Sequence, residues 1–244
     1  MATPGERSRG TGMHGVQLTE RVLEIVRSDP GASALAYVEV PWVEGGVAHP
    51  MAAEELAGAA FPSGRPLPPS LRAWLAHDTG LLERHGWFDE DGGFAPRPLD
   101  ALVGDEMGDF WGKEFAWLSG YLSECFLLPG GSDSRRILAV TEPDAQGEYP
   151  VLALDLDDMP YLGLMYPGFD VYLADTADLL GLGERQTYTD LVDHAVYGPR
   201  MRHHAARTLA GETCVEYPFE FTALFARLHP ERAEKSPRRG TSAP

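Results

Sequence analysis

An α+β fold is predicted here: a single domain built on an antiparallel β-meander, with flanking helices on one face. Three observations predict it. Helical apolar spacing dominates residues 16–124, and the apolar period then changes to alternation between 125 and 174. The turns inside that alternating stretch, Pro129-Gly130-Gly131 and Pro167-Gly168, are too short to join parallel neighbours.

The elements follow in order. Val16, Val22, Leu23 and Val26 recur at helical spacing up to Ser28, and Asp29-Pro30-Gly31 stops that helix. Leu35 to Val43, rich in Val, Tyr and Trp, reads as a strand that Pro41 places at an edge or ends. Met51 to Phe61 is an Ala- and Glu-rich short helix. Pro66 to Gly80 has prolines suited to a first helical turn, and Leu71, Trp74, Leu75 and Asp78 share one face. Gly86 to Asp109 reads as loop. Phe110 to Glu124 sets Trp111, Phe115, Leu118 and Leu122 on one side of a core helix.

Strands are predicted at Cys125–Leu128, Arg136–Thr141, Val151–Asp157, Tyr161–Tyr166 and Phe169–Ala174. Thr187 to Gly211 is mostly helical, broken at Gly198-Pro199, and Pro218 to Leu228 is a last amphipathic helix. Residues 15–229 form the domain. Residues 1–14 and 230–244 lack apolar periodicity and read as disordered tails.

Charge bounds the partners. The chain carries −17; residues 1–14 hold a net +1 and residues 231–244 a net +2, which leaves about −20 on the body. Such a field repels nucleic acid and anionic membrane and attracts a basic protein. Cys125 and Cys214 sit in apolar settings without close partners, so core thiols are expected and no metal or cofactor is. The N-terminus has no apolar signal segment and no run suits a membrane span, which points to the cytoplasm. Nothing in the sequence sets the oligomeric state.

The acidic stretch 149–175 is the candidate site. Alternation sends Leu152, Leu154 and Leu156 one way and Asp155 and Asp157 the other; in the last strand Asp170 and Tyr172 oppose Phe169, Val171 and Leu173. Unpaired carboxylates are costly to bury, so one sheet face is expected to stand open, presenting Asp155, Asp157, Asp158, Tyr161, Asp170 and Tyr172 to a partner. A solvated face with no partner fits the same pattern. His194, His203 and His204, with Asp190 and Asp193, fall in one helical region; Gly198-Pro199 breaks their register, and an exposed helix face is the expectation. His77-Asp78 reads as polarity at a helix end.

Val151-Leu-Ala-Leu-Asp-Leu-Asp-Asp158 also resembles the first motif of haloacid-dehalogenase-type phosphatases. That resemblance implies Asp155 as nucleophile and Asp157 as acid/base beside Mg²⁺. The chain departs from the pattern at Met159-Pro160. Its two lysines, Lys113 and Lys235, lie upstream and in the tail, which leaves Arg200 or Arg202 to hold a phosphoryl group.

Leu67-Pro68-Pro69-Ser70-Leu71-Arg72-Ala73-Trp74-Leu75, ending at Thr79-Gly80, is similar to the signature helix of the SUKH superfamily, and the order of Ile137–Val140, an acidic turn and Val151–Asp157 follows it. The resemblance spans roughly residues 65–180. It implies an α+β domain without catalytic residues and, for many bacterial members, an immunity protein that neutralises a basic toxin. A regulatory or scaffold protein with another partner fits the same features.

Overall fold

A computed structural model describes residues 12–31, 41–130, 134–155, 160–180 and 190–233. The helices are α1 (Gly15–Ser28), α2 (Ala53–Gly58), α3 (Pro69–Leu75), α4 (Gly80–Glu83), α5 (Leu99–Met107), α6 (Asp109–Ser119), α7 (Phe169–Thr176), α8 (Gly198–Thr208), α9 (Ala223–Leu228) and α10 (Pro230–Ala233). The strands are β1 (Cys125–Leu128), β2 (Ser134–Ala139), β3 (Val151–Asp155), β4 (Tyr161–Tyr166) and β5 (Cys214–Glu216). The fold is the predicted α+β class: one antiparallel sheet in the order β1-β2-β3-β4-β5, its first four strands a meander.

Register fixes which side chains share a face, because residues opposite one another across a ladder project together. One face carries the row Ser134, Asp155, Tyr161 and Glu216, and above it Arg136, Ala153, Gly163 and Cys214. The other carries Arg135, Leu154, Leu162 and Val215, then Ile137, Leu152 and Leu164. Val151, Leu152, Ala153 and Leu154 are all buried, so both faces of β3 are covered. Trp87 stacks on Phe126 of β1 with centroids 4.5 Å apart and meets Phe169 of α7, while Arg135 on the opposite face donates to Glu106 of α5 at 2.8 Å. The predicted open platform is therefore absent at the centre of the sheet.

Several elements differ from the predicted ones, among them β5, which was not predicted, and α10, which falls in the segment read as a tail. Phe169–Thr176 is a helix, not a strand: all six residues from Phe169 to Ala174 are buried, and a short run buried on every side fits a helix as well as a strand. The packing of α7 against α1 and α3 decides for the helix. Residues 99–107, read as loop, form α5, which packs lengthwise on α6. Gly112 makes that approach possible, since a Cβ there would stand 3.0 Å from the Asp100 carbonyl and 3.2 Å from the Gly104 Cα. Residues 218–228 split into a short 3-10 turn (Phe219–Phe221) and α9.

The predicted strand over 35–43 falls mostly outside the described residues; its end, Trp42 and Val43, is buried. Residues 187–189 are likewise outside. Gly198-Pro199 opens α8, with proline in the first turn where a missing N–H costs nothing. Cys125 and Cys214 are free thiols, the first fully buried, and burial pushes both thiols up to about 12. Met13 packs on the core, and His14 stands at the N-cap position of α1 without a side-chain hydrogen bond to it. Among the described residues no helix is long and apolar enough to cross a membrane.

Candidate functional site

The predicted site residues do not converge. Asp155 and Tyr161 do share a face, paired across β3 and β4, with the Tyr161 hydroxyl 3.4 Å from Asp155 Oδ2. Asp157 and Asp158 lie outside the described residues. Asp170 and Tyr172 are fully buried in α7, where the alternation had placed them on an exposed strand. The Tyr172 hydroxyl donates to the Pro129 carbonyl at 2.9 Å, and burial lifts its pKa far above the ordinary range. β3 is antiparallel to both neighbours, so Asp155 does not stand at the carboxyl edge of a parallel sheet, the frame the phosphatase resemblance implies.

Asp170 instead belongs to a buried charge node centred on Arg200 of α8. Arg200 Nη1 and Nη2 donate to Asp170 Oδ2 and Oδ1 at 2.7 and 3.0 Å, a bidentate pair, and its Nε donates to Asp144. The Gly15 N–H at the start of α1 donates to Asp170 Oδ2 at 2.7 Å. Glu148 accepts from the Ser70 N–H at 2.9 Å and is hydrogen-bonded to the Ser70 hydroxyl, which ties in the start of α3. The starts of α1 and α3 thus each donate an N–H to a carboxyl group, and the partial positive charge at the start of α1 helps hold Asp170 beside the guanidinium.

Each member's proton affinity follows from that packing. Burial pushes the Asp144 carboxyl up, but His204, the Arg200 guanidinium and the Glu148 N–H outweigh it and hold it at about 2. Glu148 is pushed up to about 8, first by burial and then by Asp170, so it keeps its proton at neutral pH. Burial, then the charge of Arg200, lowers His14, whose Nδ1 lies 3.3 Å from Arg200 Nη1. Burial also lowers His204, which meets the Pro167 carbonyl at 3.0 Å through Nε2. Gly168 is required here: a Cβ would stand 2.5 Å from Asp170 Oδ1 and 2.6 Å from Arg200 Nη2. The histidines of this region are therefore not an exposed helix face; His204 is buried and His194 stacks on Tyr197.

A second acidic region is open to solvent. A groove of about 530 Å³ lies between α2, the α3–α4 junction and the turn at 88–94. Glu55, Glu83, Asp89 and Glu90 line it with Met51, Thr79 and Phe88, and none of its lining residues is Lys, Arg or His. Its walls are stitched together. Asp78, fully buried, accepts from the N–H of His49 at 2.9 Å and of Leu81 at 3.0 Å, so the polarity read at a helix end joins two loops. The Met51 N–H donates to the Leu75 carbonyl, and Arg72 donates to the Leu56 and Ala59 carbonyls, pinning α2. Asp89 accepts from the N–H groups of Asp91 and Gly93 and closes its turn. The adjacent Arg84 donates to the Gly80 and Pro41 carbonyls. The groove is a pre-set array of carboxylate acceptors, suited to guanidinium or ammonium groups brought by another molecule.

Sequence reading missed both regions for definable reasons. Arg200 was visible only beside Arg202 as a candidate to hold a phosphoryl group, and nothing local marks it as buried among carboxylates. Asp89-Glu90-Asp91-Gly92-Gly93 between Phe88 and Phe94 did carry a turn signal, and those two phenylalanines form an isolated antiparallel bridge. Glu55 and Glu83 reach the same groove from separate helices, which no local pattern records.

No protein-family model matches the chain, and no curated protein matches it. A solved structure, an uncharacterized protein from Salmonella enterica subsp. enterica serovar typhimurium str. 14028s, is similar over 86% of this chain and 97% of its own, with a TM-score of 0.53 and 18% sequence identity. A likeness at that identity is one of fold.

Proposed function

We propose that this chain is a non-enzymatic binding protein of the cytoplasm that neutralises a basic, toxin-like protein by occluding its surface. The groove carries this reading: four carboxylates on a stitched frame with no cation among its lining residues. The net charge of −17 supports it, since a field of that sign speeds encounter with a cationic partner. The SUKH resemblance over roughly residues 65–180 supplies the immunity role, and α3, whose Ser70 is hydrogen-bonded to Glu148, lies in its signature helix.

The test is binding to a basic toxin-like product of a neighbouring gene, measured by titration calorimetry at two salt concentrations. Wild type is expected to bind, more weakly at the higher salt. Glu55→Lys with Glu83→Lys and Glu90→Lys is expected to bind at least about tenfold more weakly, at an unchanged melting temperature. Equal binding by wild type and the triple variant would remove the groove from the interface. Mg²⁺-dependent turnover of an aryl phosphate that Asp155→Asn abolishes would replace the binding reading with the phosphatase one.

A further inference from the structure

The chain enters α1 over the buried Arg200 node, and two adjacent residues there meet both of its charges. His14 is extended, with φ −141° and ψ 164°, and Gly15 follows at φ +55°, a left-handed conformation that glycine adopts freely. With that turn the Gly15 N–H meets Asp170 Oδ2 at 2.7 Å, and His14 Nδ1 lies 3.3 Å from Arg200 Nη1. The same Nη1 donates to Asp170 Oδ2 at 2.7 Å. A guanidinium carries donors only, so the ring nitrogen that faces it must be an unprotonated acceptor. His14 is therefore neutral in this contact, with its proton on the other nitrogen. An imidazolium would lose the hydrogen bond and set a second positive charge against the first. His14 is only half-buried, so water and protons can reach it.

We infer that His14 is a pH-sensitive latch: while neutral it holds residues 12–14 on the node, and on taking up a proton it lets them go. Each element packed around the ring brings a group to face it. Arg200 comes from α8, Asp170 from α7 and Asp144 from the β2–β3 connection, and Tyr197, just before α8, meets the ring edge-on at 5.6 Å. Burial and then Arg200 lower the pKa of His14 from the ordinary 6.5, against the opposing pull of Asp170 and Asp144. A group that binds its proton less readily in place holds fully above its ordinary value and lets go as pH falls below it. Three neighbours keep their charge over that fall. Asp144 is held at about 2, Tyr197 is pushed up to about 12, and Glu148, raised to about 8, stays protonated. The competing titration is that of His204, buried against the Pro167 carbonyl and likewise lowered, first by burial. Release is local, because Leu18, Val22, Leu23 and Val26 hold the rest of α1 in the core.

The test follows the Gly15 amide of the full chain by hydrogen exchange, with its protection factor measured between about pH 7 and about pH 4.5 and the His14 ring titrated by NMR alongside. In wild type, protection is expected to fall at least about tenfold, with the midpoint of the His14 titration. His14→Gln keeps a neutral acceptor and should hold protection within about twofold; His14→Lys, always cationic, should be poorly protected throughout. The Leu23 amide, in the middle of α1, should stay protected in every case, which also shows that each variant is folded. Unchanged Gly15 protection in wild type overturns the inference. So does an equal fall in His14→Gln, which would assign the effect to His204 or another group. An equal fall at Leu23 overturns it as well, since the opening would then be global and not a local release.

Discussion

Two acidic regions of this molecule use the same side chains to opposite ends. Around Arg200, carboxylates are buried, paired and hydrogen-bonded to helix starts, while in the groove they face solvent with no cation in the lining. The place of a single carboxylate in the sequence thus does not say whether it serves the fold or a partner. A buried carboxylate is satisfied internally and serves the fold; an exposed and pre-positioned one is left for another molecule.

The strongest way to break that contrast is Arg200→Ala. It strands Asp144 and Asp170 without their cation, and a loss of about 3–5 kcal/mol is expected in urea unfolding. A loss below about 1 kcal/mol would mean that water reaches the node and that it is not truly buried.

The next effect is on pH dependence. Asp144 is depressed from 3.8 to about 2, so its contribution is full above the ordinary value and is lost as pH falls through 2; the shift corresponds to roughly 2 kcal/mol. Glu148 is raised from 4.5 to about 8, so the folded state holds the proton more tightly and stability falls as pH rises across that window. Unfolding free energy measured between pH 5 and 8 should decline less steeply in Glu148→Gln than in wild type. Parallel profiles would show that Glu148 is ionised in the folded protein.

The smallest effect sharpens the other side. Glu55→Gln with Glu90→Gln is expected to change stability by no more than about 0.5 kcal/mol, because both side chains are exposed and no ion pair ties either one among the described residues. A larger loss would mean that the groove carboxylates hold the fold as the node does.

Legibility followed the range of the interactions. The meander of β1 to β4 could be read because its pairings are local, its turns short and its alternation clear; β4 has the predicted bounds. α1, α3 and α6 could be read from stripes such as Val22, Leu23 and Val26, although Val16, read into the same stripe, is exposed and the buried Leu18 was not read into it. α7 could not, since Phe-Asp-Val-Tyr-Leu-Ala alternates as a strand would, and only burial on all sides selects the helix. The error carried Asp170 and Tyr172 from a predicted surface into the core. β5 was missed because three residues offer no period and pair with β4 across more than fifty positions.

By itself the sequence determined the class of fold, the helical stripes, the meander and the sign of the surface field, all set by local spacing and composition. Tertiary structure decided which carboxylates are buried and which are offered. Asp170 meets Arg200 across 30 residues and Gly15 across 155, and Glu148 meets Ser70 across 78. Such partners are chosen by how helices pack, because burying a charge or a polar group is tolerable only where a counter-charge or a hydrogen-bond partner from elsewhere in the chain arrives with it.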